Sequence, residues 1–179
     1  MALAASTAGS AAVTPAPGSG SPAQWRTYDL LIDLQQLPRS YSCTQLWYKL
    51  RDVLLDIGAR RYMLIEPYAC AAAGKPATLS PRVHLKFQLP FPLAGADTRY
   101  AEFTSLSKTI HLAPGEPASL ERDDCALMDQ LRGLLLAAVP VRVSSATFRC
   151  GSPSPSFAIT VAAAVAAPEA AAAPAAAGH

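Results

Sequence analysis

The sequence predicts an α+β domain: a largely antiparallel sheet with two helices on one face, built from two similar βαββ halves. Three observations carry that expectation. Two segments with helical apolar spacing, near 44–57 and 125–138, are each flanked by short runs of period-two alternation. The apolar positions of the second helix repeat those of the first at an offset of 81 residues. Each helix also opens at a cysteine, and the strand behind it closes at another, from Cys43 to Cys70 and from Cys125 to Cys150.

Residues 1–24, MALAASTAGSAAVTPAPGSGSPAQ, carry no charge and almost no large apolar side chain. They cannot bury enough surface to offset the entropy of ordering, so a disordered Ala/Ser/Pro/Gly leader is expected. A secretory signal would place basic residues near Met1 ahead of a leucine-rich run, whereas the first basic residue here is Arg26. No intact signal is legible, although these small residues would suit the remnant of a trimmed or mis-started one. Residues 162–179 are rich in Ala and Pro, and Pro168 and Pro174 would interrupt any alanine helix, so a disordered tail is expected. A single domain remains at 25–161, with halves at 25–90 and 99–161.

Within it, Tyr28, Leu30, Ile32 and Leu34 alternate with Asp29 and Asp33 as in a half-buried strand. The first helix then presents Leu46, Trp47, Leu50, Val53, Leu54 and Ile57 on one face. Ser42 or Cys43 occupies its cap region, and Gly58 stands where a left-handed cap is wanted. RRYMLIEPYAC supplies the strand behind this helix, and RVHLKFQL the next, with Val83, Leu85, Phe87 and Leu89 inward. In the second half, RYAEFTSL and SKTIHLAP are expected to form a hairpin turning at Leu106 and Ser107. The second helix repeats the first face as Leu127, Met128, Leu131, Leu134, Leu135 and Ala138, behind Asp123 and Asp124 at its start. VRVSSATFRC and FAITV close the half, with Phe157, Ile159 and Val161 inward. The layout broadly resembles a duplicated ferredoxin-like one, a likeness of topology that carries no function.

A strand that runs back antiparallel to the helix before it brings its end near the helix start. About 21 Å of helix against about 23 to 33 Å of strand lets Cys43 reach Cys70, and Cys125 reach Cys150, within disulfide distance. Each bond would contribute about 3 kcal/mol by restricting the unfolded chain. Their presence implies an oxidising compartment, hence a periplasmic or secreted protein; reduced cysteines would return it to the cytoplasm. Three other readings compete: buried thiols, a zinc site, and a nucleophilic Cys43 at a helix start with His84 or His111 as base. Zinc is disfavoured by the spacings of 26, 54 and 24 intervening residues.

The remaining chemistry is sparse. A net charge of +2 implies no polyanionic partner, no stretch reads as a membrane span, and no catalytic motif, metal cluster or cofactor fingerprint is present. Arg82, His84, Lys86, Arg99 and His111, together with Phe91 in PFPLAG, form the candidate binding face across the open side of the sheet and its loops. Trp47 reads as core, and Asp29 and Asp33 as surface charges. The expectation is an exported, disulfide-stabilised, non-catalytic binding domain of the cell envelope, taking a protein or small-molecule ligand and no cofactor. The alternatives are a cysteine-dependent enzyme and a cytosolic protein that binds nucleic acid through a basic sheet face.

Overall fold

A computed structural model of the chain describes residues 20–70 and 80–168. Most of the expected leader and tail, and nearly all of the 71–81 connection, lie outside the described residues. The elements in order are β1 (Ser21–Asp33), α1 (Cys43–Asp56), β2 (Leu64–Tyr68), β3 (Arg82–Pro92), β4 (Phe103–Leu112), α2 (Cys125–Leu131), β5 (Arg142–Arg149) and β6 (Ser156–Ala166). The six strands form one sheet in the order β2-β3-β1-β4-β6-β5, and every neighbouring pair is antiparallel. The fold is therefore α+β. β1 and β2 lie parallel with β3 between them, and β4 and β5 lie parallel with β6 between them.

Cross-strand pairs put one apolar row on the helix side: Tyr28 opposite Phe87, Leu30 opposite Leu85, Ile32 opposite Val83, then Ile110 opposite Val161 and Leu112 opposite Ile159. These rows join Leu46, Leu50, Val53 and Leu54 of α1 and Leu127, Met128 and Leu131 of α2 in one core. Val83, Leu85, Phe87 and Leu89 are buried as expected, as are Phe157, Ile159 and Val161. Trp47 is half-buried against that core, with Arg51 over its ring at 5.5 Å.

α1 has well-defined ends. Gln45 N–H donates to Ser42 Oγ at 3.1 Å while Ser42 N–H donates to Gln45 Oε1 at 2.9 Å, a reciprocal cap that satisfies two orphan donors. At the other end Gly58 takes φ +95°, with Ala59 N–H donating to Leu54 O and Gly58 N–H to Leu55 O. A side chain there would also press on Ala164, whose carbonyl oxygen would lie 2.9 Å from an added Cβ.

Four expectations need correction. β1 begins at Ser21 and β6 runs on to Ala166, beyond the expected limits of 25 and 161. Ser21–Ala23 pair with β4, and so do Ala162–Ala166, so partner strands supply the backbone bonds that these small residues could not specify locally. Second, Phe103–Leu112 is one uninterrupted strand rather than a hairpin. An unbroken ladder to β6, Ser105–Leu112 against Ala166–Ile159, holds the chain extended through Leu106 and Ser107. Third, Asp124 does not cap α2; its Oδ2 accepts Glu121 N–H at 2.7 Å and closes the preceding 3-10 turn, Arg122–Asp124.

Fourth, the second helix changes phase. α2 passes into a π-helical turn, Arg132–Leu136, which takes in one extra residue. The inward positions beyond Leu131 therefore fall at Leu135, Leu136 and Val139 instead of Leu134, Leu135 and Ala138, and Leu134 is left 44% exposed.

Candidate functional site

On the helix-free face, Arg82, His84 and Lys86 stand in a row along β3, as the alternation of the strand requires. β1 places Asp33 opposite Arg82 and Asp29 opposite Lys86, while β2 places Glu66 opposite His84. The row is consequently a lattice of opposite charges. Arg82 Nε lies 2.6 Å from Asp33 Oδ1, His84 Nε2 lies 2.7 Å from Asp29 Oδ1, and Lys86 Nζ lies 3.8 Å from Asp29 Oδ2. The second imidazole nitrogen, Nδ1, is 3.4 Å from Glu66 Oε2, which also accepts from Tyr68 Oη at 2.7 Å.

The hydrogen bond to Asp29, and after it the one to Glu66, raises the His84 pKa above the usual histidine value. In return His84 lowers the Asp29 carboxyl, and Tyr68 followed by His84 lowers Glu66. Two carboxylates beside the imidazole favour its protonated form, and both ring nitrogens point at a carboxylate oxygen.

The other expected face residues are not gathered here. Phe91 belongs to β3 rather than to a loop, and is half-buried with Arg26 stacked 4.8 Å from its ring centroid. Arg99 sits in a 3-10 turn, Gly95–Tyr100, against the Tyr100 ring. His111 lies on β4 in the other half, where its Nδ1 meets Thr160 Oγ1 at 3.2 Å. Along the seam between halves, Trp25 packs on Phe103 at 4.7 Å and Arg60 covers Trp25 at 4.4 Å.

All four cysteines are paired. Cys43 binds Cys70 with Cα atoms 5.2 Å apart, and Cys125 binds Cys150 at 5.3 Å, so each bond ties the start of a helix to the chain end of the following strand. No thiol remains for a nucleophile. β2 is shorter than RRYMLIEPYAC suggested, yet the geometry still closes because Arg60 already runs alongside β3, donating its N–H to Gln88 O. Beside each bond lies a shallow cleft. One of about 250 Å³ is lined by Arg39, Asp123 and the Cys125–Cys150 bond, and one of about 290 Å³ by Cys43, Trp47 and Tyr48.

The most buried polar cluster escaped the sequence reading. Asp124, fully buried, accepts from Lys49 Nζ at 2.7 Å, Arg39 Nη2 at 2.7 Å and Tyr41 Oη at 3.0 Å. Lys49 also donates to Ser119 O at 2.6 Å, and Glu121 joins through Arg39 at 2.8 Å. Burial pushes the Tyr41 hydroxyl pKa well up, whereas Arg39, and then Lys49, hold Glu121 below the usual carboxylate range. A signal was present: Lys49 lies three residues after Leu46 and four before Val53, inside the apolar face, where a charge needs a partner. Nothing in the sequence named that partner.

Fold and site define an α+β domain with a six-stranded antiparallel sheet and two disulfides. No protein-family model, no curated protein and no solved structure matches the chain. Among the described residues no helix is long and apolar enough to cross a membrane, and no cluster of His, Cys, Asp and Glu has the makings of a metal site.

Proposed function

We propose that this chain is a disulfide-stabilised, non-catalytic binding domain of the cell envelope, periplasmic or secreted, built by duplication of a βαββ unit. The observation that carries the reading is the pair of helix-to-strand disulfides, a device that persists only where the surroundings are oxidising. Duplication is supported by the shared connection in both halves: a strand, a helix, an outer strand, then the strand between. This split arrangement is the one that ferredoxin-like sheets use in each βαβ unit.

A binding role is favoured over catalysis because His84 has both ring nitrogens directed at carboxylates. A protein or small-molecule ligand is favoured over nucleic acid because Arg82, His84 and Lys86 each face an acid, which cancels the field a phosphate backbone would need. The test is the mass of the intact protein from its native host after alkylation under denaturing, non-reducing conditions. Absence of alkylation, with peptides mapping Cys43 to Cys70 and Cys125 to Cys150, is the expected result. Four alkylated thiols would overturn the reading and place the protein in a reducing compartment.

A further inference from the structure

The two outer strands of the sheet are unlike. β2 is five residues long, contains Pro67, which lacks a backbone donor, and ends at a disulfide. It is a poor template for a further strand. β5 is eight residues long, has no proline, and is largely exposed. A bulge at Ser144 irregularises its beginning, but Ser145–Arg149 pair with β6 residue by residue, so alternate backbone groups of that run point away from the sheet.

Both sides of this edge are also largely exposed. Val143 and Leu134 are exposed on the helix side, and Phe148 is half-buried with the Arg132 guanidinium 5.6 Å from its ring centroid. On the other side Arg142 and Arg149 project at the two ends of the strand. Among the described residues neither has a carboxylate within ion-pair distance, in contrast to every cation of the β3 row.

We infer that β5 is a docking edge for an extended acidic segment of a partner protein, which adds a seventh strand to the sheet. The charges specify the partner. On β6 the residues facing Arg142 and Arg149 are Ala162 and Ser156, six positions apart. A strand added on the opposite side in the same register carries acidic residues six positions apart, about 20 Å, with apolar residues at intervening alternate positions against Val143 and Phe148. Two copies of β5 would not pair well, since antiparallel alignment brings Arg142 of one onto Arg149 of the other. This inference rests on the binding role proposed above and names the surface and the chemistry of the partner.

The experiment uses the full oxidised chain and a blocked nine-residue peptide with Glu at positions 1 and 7, Val at even positions and Thr elsewhere. Amide NMR shifts and hydrogen exchange are followed on addition. The expected result is protection and shift changes concentrated on Ser145–Arg149, at least tenfold weaker binding when the Glu residues are replaced by Lys, and reversal of that preference in Arg142→Glu/Arg149→Glu. Both substituted positions are exposed, so the variant folds. The inference is overturned by no binding, by equal binding of both peptides, by changes centred on β3 near His84, or by a dimer that forms through β5 and excludes the peptide. Failure of the peptide with both disulfides intact would remove the docking edge alone. Free thiols in native material together with peptide binding would remove the envelope assignment and leave the edge standing.

Discussion

Lys49 Nζ donates to Asp124 Oδ2 at 2.7 Å, with the lysine side chain 6% exposed and the aspartate not at all. One residue comes from α1 in the first half and the other from the turn ahead of α2, so a charge pair bridges the two halves inside the core. Such a pair offsets its own desolvation only because Tyr41, Arg39 and Ser119 satisfy the remaining donors and acceptors.

The losses on removing each member should therefore be far from additive. Asp124→Ala is expected to destabilise the fold by about 3 to 5 kcal/mol, and Lys49→Met by less, because Arg39 still reaches the carboxylate. The double variant should fall well short of the sum. Urea unfolding of the four proteins checks this, and strictly additive losses would refute the coupling.

His84 should titrate above the ordinary histidine midpoint of about 6.5. The raised value means that the fold favours the protonated ring. Its contribution is complete below the unfolded midpoint and is lost as pH rises through the folded one. Asp29 and Glu66 are lowered, so theirs is complete above the unfolded carboxylate values and is lost as pH falls through the folded ones. Imidazole chemical shifts against pH measure the midpoint, and Asp29→Asn should bring it down.

The phase change in the second helix predicts opposite fates for neighbouring leucines. Leu136→Ala should cost about 2 to 5 kcal/mol, because Leu136 is 1% exposed, whereas Leu134→Ala, at 44% exposed, should stay within about 0.5 kcal/mol. A regular α-helical continuation would reverse the order. Thermal or urea melts decide it.

Each disulfide should be separately stabilising. With sequence separations of 27 and 25, Cys43→Ala/Cys70→Ala and Cys125→Ala/Cys150→Ala should each lose about 3 kcal/mol. Equal losses in the two variants fit loop closure. A variant that melts like the parent would show that bond to be structurally idle.

Much of the frame was legible in the residues themselves. The inward rows of β3 and β6, the face of α1, its glycine stop and both cysteine pairs follow from period, capping chemistry and the reach of a strand folded back on its helix. Those are local properties, fixed over distances that the chain spans by itself. The extension of β1 and β6 into Ala- and Ser-rich sequence was not legible, because there the backbone bonds come from β4, a partner distant in sequence. The phase slip at Arg132–Leu136 was likewise hidden, since its leucines are apolar on either reading and packing against the sheet chooses between them. The candidate site divides in the same way. Alternation alone put Arg82, His84 and Lys86 on one open face, but strand order decided that Asp33, Asp29 and Glu66 stand beside them. Lys49 announced a need for a partner, and only the joining of two halves across the core brought Asp124 within 2.7 Å. A side chain's demand is written in its own chemistry, whereas the group that meets it is chosen by the topology that folds remote segments together.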